Sequence, residues 1–204
     1  MSTPPGCGPL ETLREMARAS RGGSPAYTMY HIYRALELIG EHPRGRPLLA
    51  RSLGLGEASA RTLLRRLRSW GLVDSGYRGN RLTGAGVRVL EAVRSSVEVL
   101  ELGGIVWPES AGVYTPSVNP PVDIVSVYRV RDHLVMHGCR EALIGGYTAR
   151  GPVFPGVPED LASRLAQGLP PRGPGLLVIV PSACLPQAFD AVVEVILSRC
   201  KPGG

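Results

Sequence analysis

His133 and His137 stand four residues apart, with Asp132 beside the first and Cys139 two beyond the second. On a helix that spacing puts two imidazoles on one face, the start of a metal corner. Zinc needs three or four ligands, HExxH is absent, and the other histidines, His31 and His42, belong to the first half of the chain. Histidines without a metal are therefore expected. Ser182 and Cys184 follow the apolar run LLVIV at 176–180, where a nucleophile at a strand end would meet substrate. There is no GxSxG elbow and no later histidine to act as base, so the chain is not read as an enzyme. Gly145-Gly146 lacks both GxGxxG and GxxxxGK[ST], which makes a bulge or a close backbone approach the expectation rather than a phosphate loop. No cofactor and no metal is called for.

The stretch 56–70, GEASARTLLRRLRSW, suggests a different chemistry. Ala60, Leu63, Leu64, Leu67 and Trp70 recur at three and four residues, the stripe of an amphipathic helix. Arg61, Arg65, Arg66 and Arg68, with Ser59, Thr62 and Ser69, occupy the other face. Guanidinium groups so placed suit phosphates and the acceptor edges of guanine.

The charge is concentrated around this helix. Residues 44–94 hold eleven arginines against Glu57, Asp74 and Glu91, a net of +8, whereas the whole chain of 204 residues carries +6. One half is therefore basic and the remainder slightly acidic, as expected for a nucleic-acid-binding module joined to a partner domain. Basic residues are 22 Arg and one Lys, a bias that base composition alone could produce, so only placement is informative. No run of about 18 apolar residues predicts a membrane span, and residues 1–20 read as neither signal nor transit peptide. A cytoplasmic protein is expected. Cys7, Cys139, Cys184 and Cys200 lack zinc spacing, and reduced thiols are the default unless the source is a hyperthermophile.

The surrounding pattern supplies the elements that would hold the arginines. Residues 1–23 are read as disordered or as a short helix centred on Leu10, Leu13 and Ala17. Ser24-Pro25 could cap a helix with Tyr27, Tyr30, Ile32, Tyr33, Leu36 and Ile39 on its apolar face. Residues 46–53 form a second helix with Leu48, Leu49 and Leu53 inward, and 56–70 the third. Leu72-Val73 and Arg81-Leu82 read as two strands joined by 74–80, and Thr83 caps a last helix carrying Val87, Leu90, Ala92 and Val93.

Ser59, Leu63-Leu64, Gly71-Leu72-Val73 and Leu82-Thr83-Gly84-Ala85-Gly86 resemble the winged helix-turn-helix regulators, in which such residues mark recognition helix, exit, hairpin and next helix. The resemblance covers residues 25–95. It implies double-stranded DNA as partner, with Ser59, Arg61, Thr62, Arg65 and Arg66 at the major groove and Arg78 and Arg81 of the wing at the backbone or minor groove; Arg68, on the same helix face, is a further DNA-binding candidate. Such domains also engage RNA or proteins of the transcription and translation apparatus, which stays open as the alternative.

After residue 96 the composition turns to Val, Ile, Leu and Gly. Residues 97–105 alternate as a strand, 107–121 read as a proline-rich connection, and 124–138 as mostly helix with Val127, Val130, Leu134 and Val135 aligned. Strands at 141–148 and 176–180 and helices at 158–167 and 186–200 complete the pattern. The expected fold is α+β: a winged helix over 24–96, then a two-layer α/β sandwich over 97–204 with helices on one face. RVRDHLVMHGCREALIGGY and GLLVIVPSACLPQAFDAVVEVIL resemble an uncharacterised archaeal family of this domain order. That resemblance implies a second domain related to the insert domain of tRNA-charging and transamidation enzymes, and no reaction. Arg129, Arg131, Asp132, Tyr147 and Arg150 fall near element ends, where a small effector could bind. A homodimer is expected through the exposed sheet face or the closing helix.

Overall fold

In the computed structural model, which describes residues 7–18, 26–116 and 124–200, helix α1 (Cys7–Ala17) buries Leu10, Leu13 and Met16 and packs on α2 (Met29–Glu41). The Ser24-Pro25 cap lies outside the described residues. Thr28 precedes α2, and its backbone N–H donates to His31 Nδ1 at 3.1 Å in a capping box. Glu37 on α2 accepts from Tyr33 Oη at 2.7 Å, from Arg34 at 3.0 Å and from Arg94 at 3.0 Å. Burial and the bond to Glu37 push the Tyr33 phenol well above its ordinary pKa.

Helix α3 (Arg46–Ser52) starts at a proline in its first turn and ends at Gly54, whose φ of 63° is left-handed. Helix α4 (Glu57–Ser69) follows, then strands β1 (Val73–Gly76) and β2 (Gly79–Leu82), then α5 (Gly84–Ser96). The hairpin is tighter than its sequence suggests, with Gly76 paired to Gly79 across Tyr77-Arg78. Thr83 Oγ1 accepts the Gly86 N–H at 3.1 Å, the expected cap. Three apolar residues read as inward are exposed: Leu48 on α3, Trp70 at the end of α4 and Val87 on α5. Periodicity marks the stripe but not its edges, and each of these residues sits at an edge.

The chain divides into two units at Ser95/Ser96. The second unit holds one five-stranded sheet in the order β3-β4-β7-β5-β6, every neighbouring pair antiparallel. The strands are β3 (Glu98–Gly103), β4 (Ser110–Pro116), β5 (Leu143–Thr148), β6 (Gly151–Val153) and β7 (Gly175–Pro181), and the helices are α6 (Ile124–Met136), α7 (Glu159–Gly168) and α8 (Leu185–Cys200). Strand β4 lies inside the stretch read as a proline-rich connection, and β6 was not anticipated. Beside the central strand, β4 is buried on both faces, so SAGVYT lacks the alternation that betrays a half-exposed strand.

Leu177 and Ile179 of β7 join Leu100, Tyr114, Tyr147, Phe154, Leu165 and Leu169 in one core. Leu176, Val178 and Val180 point to the other face by the two-residue period, and α8 packs on β7 and β4 with α6 beside it. The helical layer of the sandwich is thus α6 and α8, while the opposite face is covered rather than open: Leu165 of α7 closes it. Helix α8 buries Phe189, Val192, Val193 and Leu197, whereas Ile196 is half-buried. On α6, Val130 and Leu134 are buried, but Val135 is exposed. The thiols are not reduced: Cys139 and Cys184 form a disulfide with their Cα atoms 5.7 Å apart, and none of the four cysteines is free.

Gly145 does mark a close backbone approach. A Cβ there would lie 2.3 Å from the Val153 carbonyl oxygen and 2.5 Å from the Phe154 ring. Gly145→Ala is expected to destabilise the second unit by about 1–3 kcal/mol through overpacking, read as a lower denaturation midpoint at unchanged m-value.

Candidate nucleic-acid interface

Helix α4 lays Ala60, Leu63, Leu64 and Leu67 into the core of the first unit, which turns Arg61, Arg65 and Arg68 outward. Ser59 and Thr62 are half-buried at the border, and the Thr62 hydroxyl donates to the Ala58 carbonyl at 3.1 Å. The arginines divide by what holds them. Arg61 and Arg65, one helical turn apart, are exposed and have no partner among the described residues. Arg66 instead reaches back to α1, donating to the Arg18 and Glu15 carbonyls at 3.1 Å each. The Arg18 carbonyl lies just past the last turn of α1, and the Glu15 carbonyl takes only a long bond, 3.4 Å, from the Arg18 N–H, so the guanidinium supplies donors that the helix end lacks. Arg68 donates to Asn80 Oδ1 at 2.6 Å.

The sequence places Asn80 in the hairpin loop, and the structure makes it the residue that organises the basic surface. It is 4% exposed, donates from Nδ2 to the Arg44 carbonyl at 2.8 Å, and exchanges two backbone bonds with Arg44 at 2.9 and 3.1 Å. The segment before α3 is thereby added to β2 as a further bridge. Gly79 permits the approach, since a Cβ there would sit 2.6 Å from the Arg44 carbonyl carbon and its φ is 120°. A Gly-Asn pair preceding an exposed arginine is the only trace of this in the sequence.

On the hairpin, Arg78 occupies the turn beside a fully exposed Tyr77, and Arg81 is exposed on β2 opposite Asp74 of β1. Of the eleven arginines between residues 44 and 94, Arg44, Arg46 and Arg94 pair with carboxylates and Arg66 and Arg68 are bound as described. The remaining six, Arg51, Arg61, Arg65, Arg78, Arg81 and Arg88, are exposed and make no ion pair among the described residues, although Arg81 stands across the hairpin from Asp74. A surface of uncompensated guanidinium groups on a helix and a hairpin can bind a polyanion.

The five residues read as an effector site do not meet. Tyr147 is buried on the α7 side of the sheet, its hydroxyl donating to the Pro170 carbonyl at 2.6 Å. Arg129 donates to Ser198 on α8 at 2.7 Å, and Arg150 lies in the β5–β6 turn. Arg131 alone of the five lines a groove of about 350 Å³, with Leu134, Val135, Cys139, Arg140, Ala142 and Ile144. His133 and His137 stack at 4.2 Å, and no cluster of three metal-ligating side chains exists among the described residues. No helix among them is long and apolar enough to cross a membrane.

Residues 34–88, from α2 through the hairpin into α5, match the family model described as the PH0730-like N-terminal domain. A solved structure, hypothetical protein PH0730 from Pyrococcus horikoshii OT3, is similar in fold to this chain, with a TM-score of 0.63. The two sequences are 22% identical, and the match covers 85% of this chain and 94% of that one, a likeness of fold. Among curated proteins no sequence matches.

Asn80→Ala removes the side-chain donor to the Arg44 carbonyl, which keeps the backbone N–H of residue 80, and takes from Arg68 its acceptor, and is expected to lower stability by about 1–3 kcal/mol in chemical denaturation. Burial, and then the neighbouring His137, lower the His133 pKa to about 4 from 6.5. The unfolded chain therefore takes up this proton first, so the folded state loses stability as the pH falls from 6.5 towards 4. His133→Gln should flatten that part of the stability–pH curve, and an unchanged slope would refute the assignment.

Proposed function

We propose that the first unit is a winged helix-turn-helix that binds double-stranded DNA, with α4 in the major groove and the β1–β2 hairpin as the wing. The observation that carries this reading is the pair of exposed, unpartnered arginines one turn apart on α4, Arg61 and Arg65, in the same unit as Arg78 and Arg81 on the hairpin. Ser59 and Thr62 border the pair and can supply hydroxyl contacts. Arg66 and Arg68 are assigned to packing the unit, because their donors serve α1 and Asn80. Affinity would come from counterions released as the guanidinium groups meet phosphates, and sequence preference from Arg61 and Arg65 at base edges. The protein then acts as a cytoplasmic transcriptional regulator with no catalytic role. A module for structured RNA is the competing reading, and a matched RNA pool tests it.

Fluorescence anisotropy against a selected duplex and against random duplex, across a salt series, separates the roles. Arg65→Ala is expected to cost about 1–3 kcal/mol at the selected site and to affect random duplex less. Arg78→Ala should weaken both to the same degree and reduce the salt slope by about 1. Equal losses on every sequence for both variants, or RNA bound more tightly than duplex, would overturn the reading.

A further inference from the structure

The two surfaces from which a homodimer was expected are occupied within the chain: both sheet faces are covered and most of the apolar residues of α8 are buried. An exposed apolar row of the second unit lies instead on α6. Val130, Leu134 and Ser126 turn inward, and on the opposite side Val125, Tyr128, Val135 and Met136 are 54%, 54%, 51% and 75% exposed. Val125, Tyr128, Asp132 and Val135 are spaced three, four and three, the a/d pattern of a helix pair, with Arg129 and Met136 on its flank. Exposed apolar side chains are ordinary singly, but a row along one helix marks a contact surface.

We propose that this face of α6 binds the same face of a second copy of the chain, the two helices antiparallel across a twofold axis near Val130 and Arg131. The charges select that occupant. Arg129, one of whose guanidinium N–H groups is held by Ser198 of α8, and Asp132 lie three residues apart on the exposed part of α6, so an antiparallel copy sets the remaining donors of each Arg129 opposite the partner's Asp132, twice by symmetry. In the same register Val125 meets Met136 and Tyr128 packs beside Val135. A parallel pairing would set Asp132 against Asp132, and the repulsion excludes it. One helix of 13 residues buries less than the roughly 1,200 Å² of a stable interface, so the dimer is weak, with a dissociation constant in the micromolar range.

Sedimentation equilibrium on the full chain between micromolar and submillimolar concentrations tests this without nucleic acid, so its outcome is independent of the DNA reading. The wild type should be a reversible dimer. Arg129→Asp and Asp132→Arg should each weaken it by about tenfold or more, because each replaces an attractive pair with a repulsive one. An equimolar mixture of the two variants should dimerise again, since every charged contact across it is then attractive. That rescue could not occur if either variant had merely misfolded. A wild-type chain monomeric throughout, a dimer indifferent to both substitutions, or a mixture that stays monomeric would each overturn the proposal.

Discussion

A buried carboxamide with an unmatched oxygen or NH2 group destabilises a small domain by about 1–3 kcal/mol, and Asn80 avoids this by bonding in two directions at once. Its oxygen takes a guanidinium N–H of Arg68 from α4, and its nitrogen donates to the Arg44 backbone ahead of α3. Three pieces of the basic unit are thereby held at one point: the hairpin, the helix that carries the exposed arginines and the entry to its partner helix. The angle of the hairpin relative to α4 depends on this junction, and so does any surface that the two form together. Asp would supply no donor for the Arg44 carbonyl, and Ser would be too short to span both partners.

The arginines show how one residue type can serve packing and recognition within a single helix. Positions on α4 that face neither core nor open solvent, Arg66 above all, are drawn onto carbonyls at the end of a neighbouring helix. Positions on the outermost line, Arg61 and Arg65, find nothing to bind within the chain. A long cationic side chain held by internal carbonyls is ordered and costs little further entropy, whereas the free ones must be ordered by whatever they meet.

Much of the architecture was legible before the structure. The boundaries of α3, α4 and β7 follow from apolar spacing and glycine or proline punctuation, and Thr83 announces itself as a cap. Strand β4 escaped notice because a strand buried on both sides and flanked by prolines has no alternation to read. The disulfide escaped because Cys139 and Cys184 are 45 residues apart, and only the sheet brings them together. The list of arginines was legible, but not their sorting: an amphipathic pattern cannot tell that α1 ends beneath Arg66 or that Asn80 turns inward. The effector residues were gathered by their nearness to element ends, and period-two alternation in β5 then placed Tyr147 on the far side of the sheet from α6.

The position of β7 has a consequence for how the chain is made. It is the central strand, pairing with β4 on one side and β5 on the other, yet it is the last strand in sequence. On the ribosome neither β3-β4 nor β5-β6 can join into one sheet until residues 175–181 have emerged, and α8 must follow to cover it. The basic unit, built from neighbouring helices and a two-residue turn, can fold while that second half is still being synthesised. For that interval the nascent chain presents hairpins with bare edges tethered to a finished, positively charged domain, and in the crowded vicinity of ribosomal RNA those edges are the part most in need of protection.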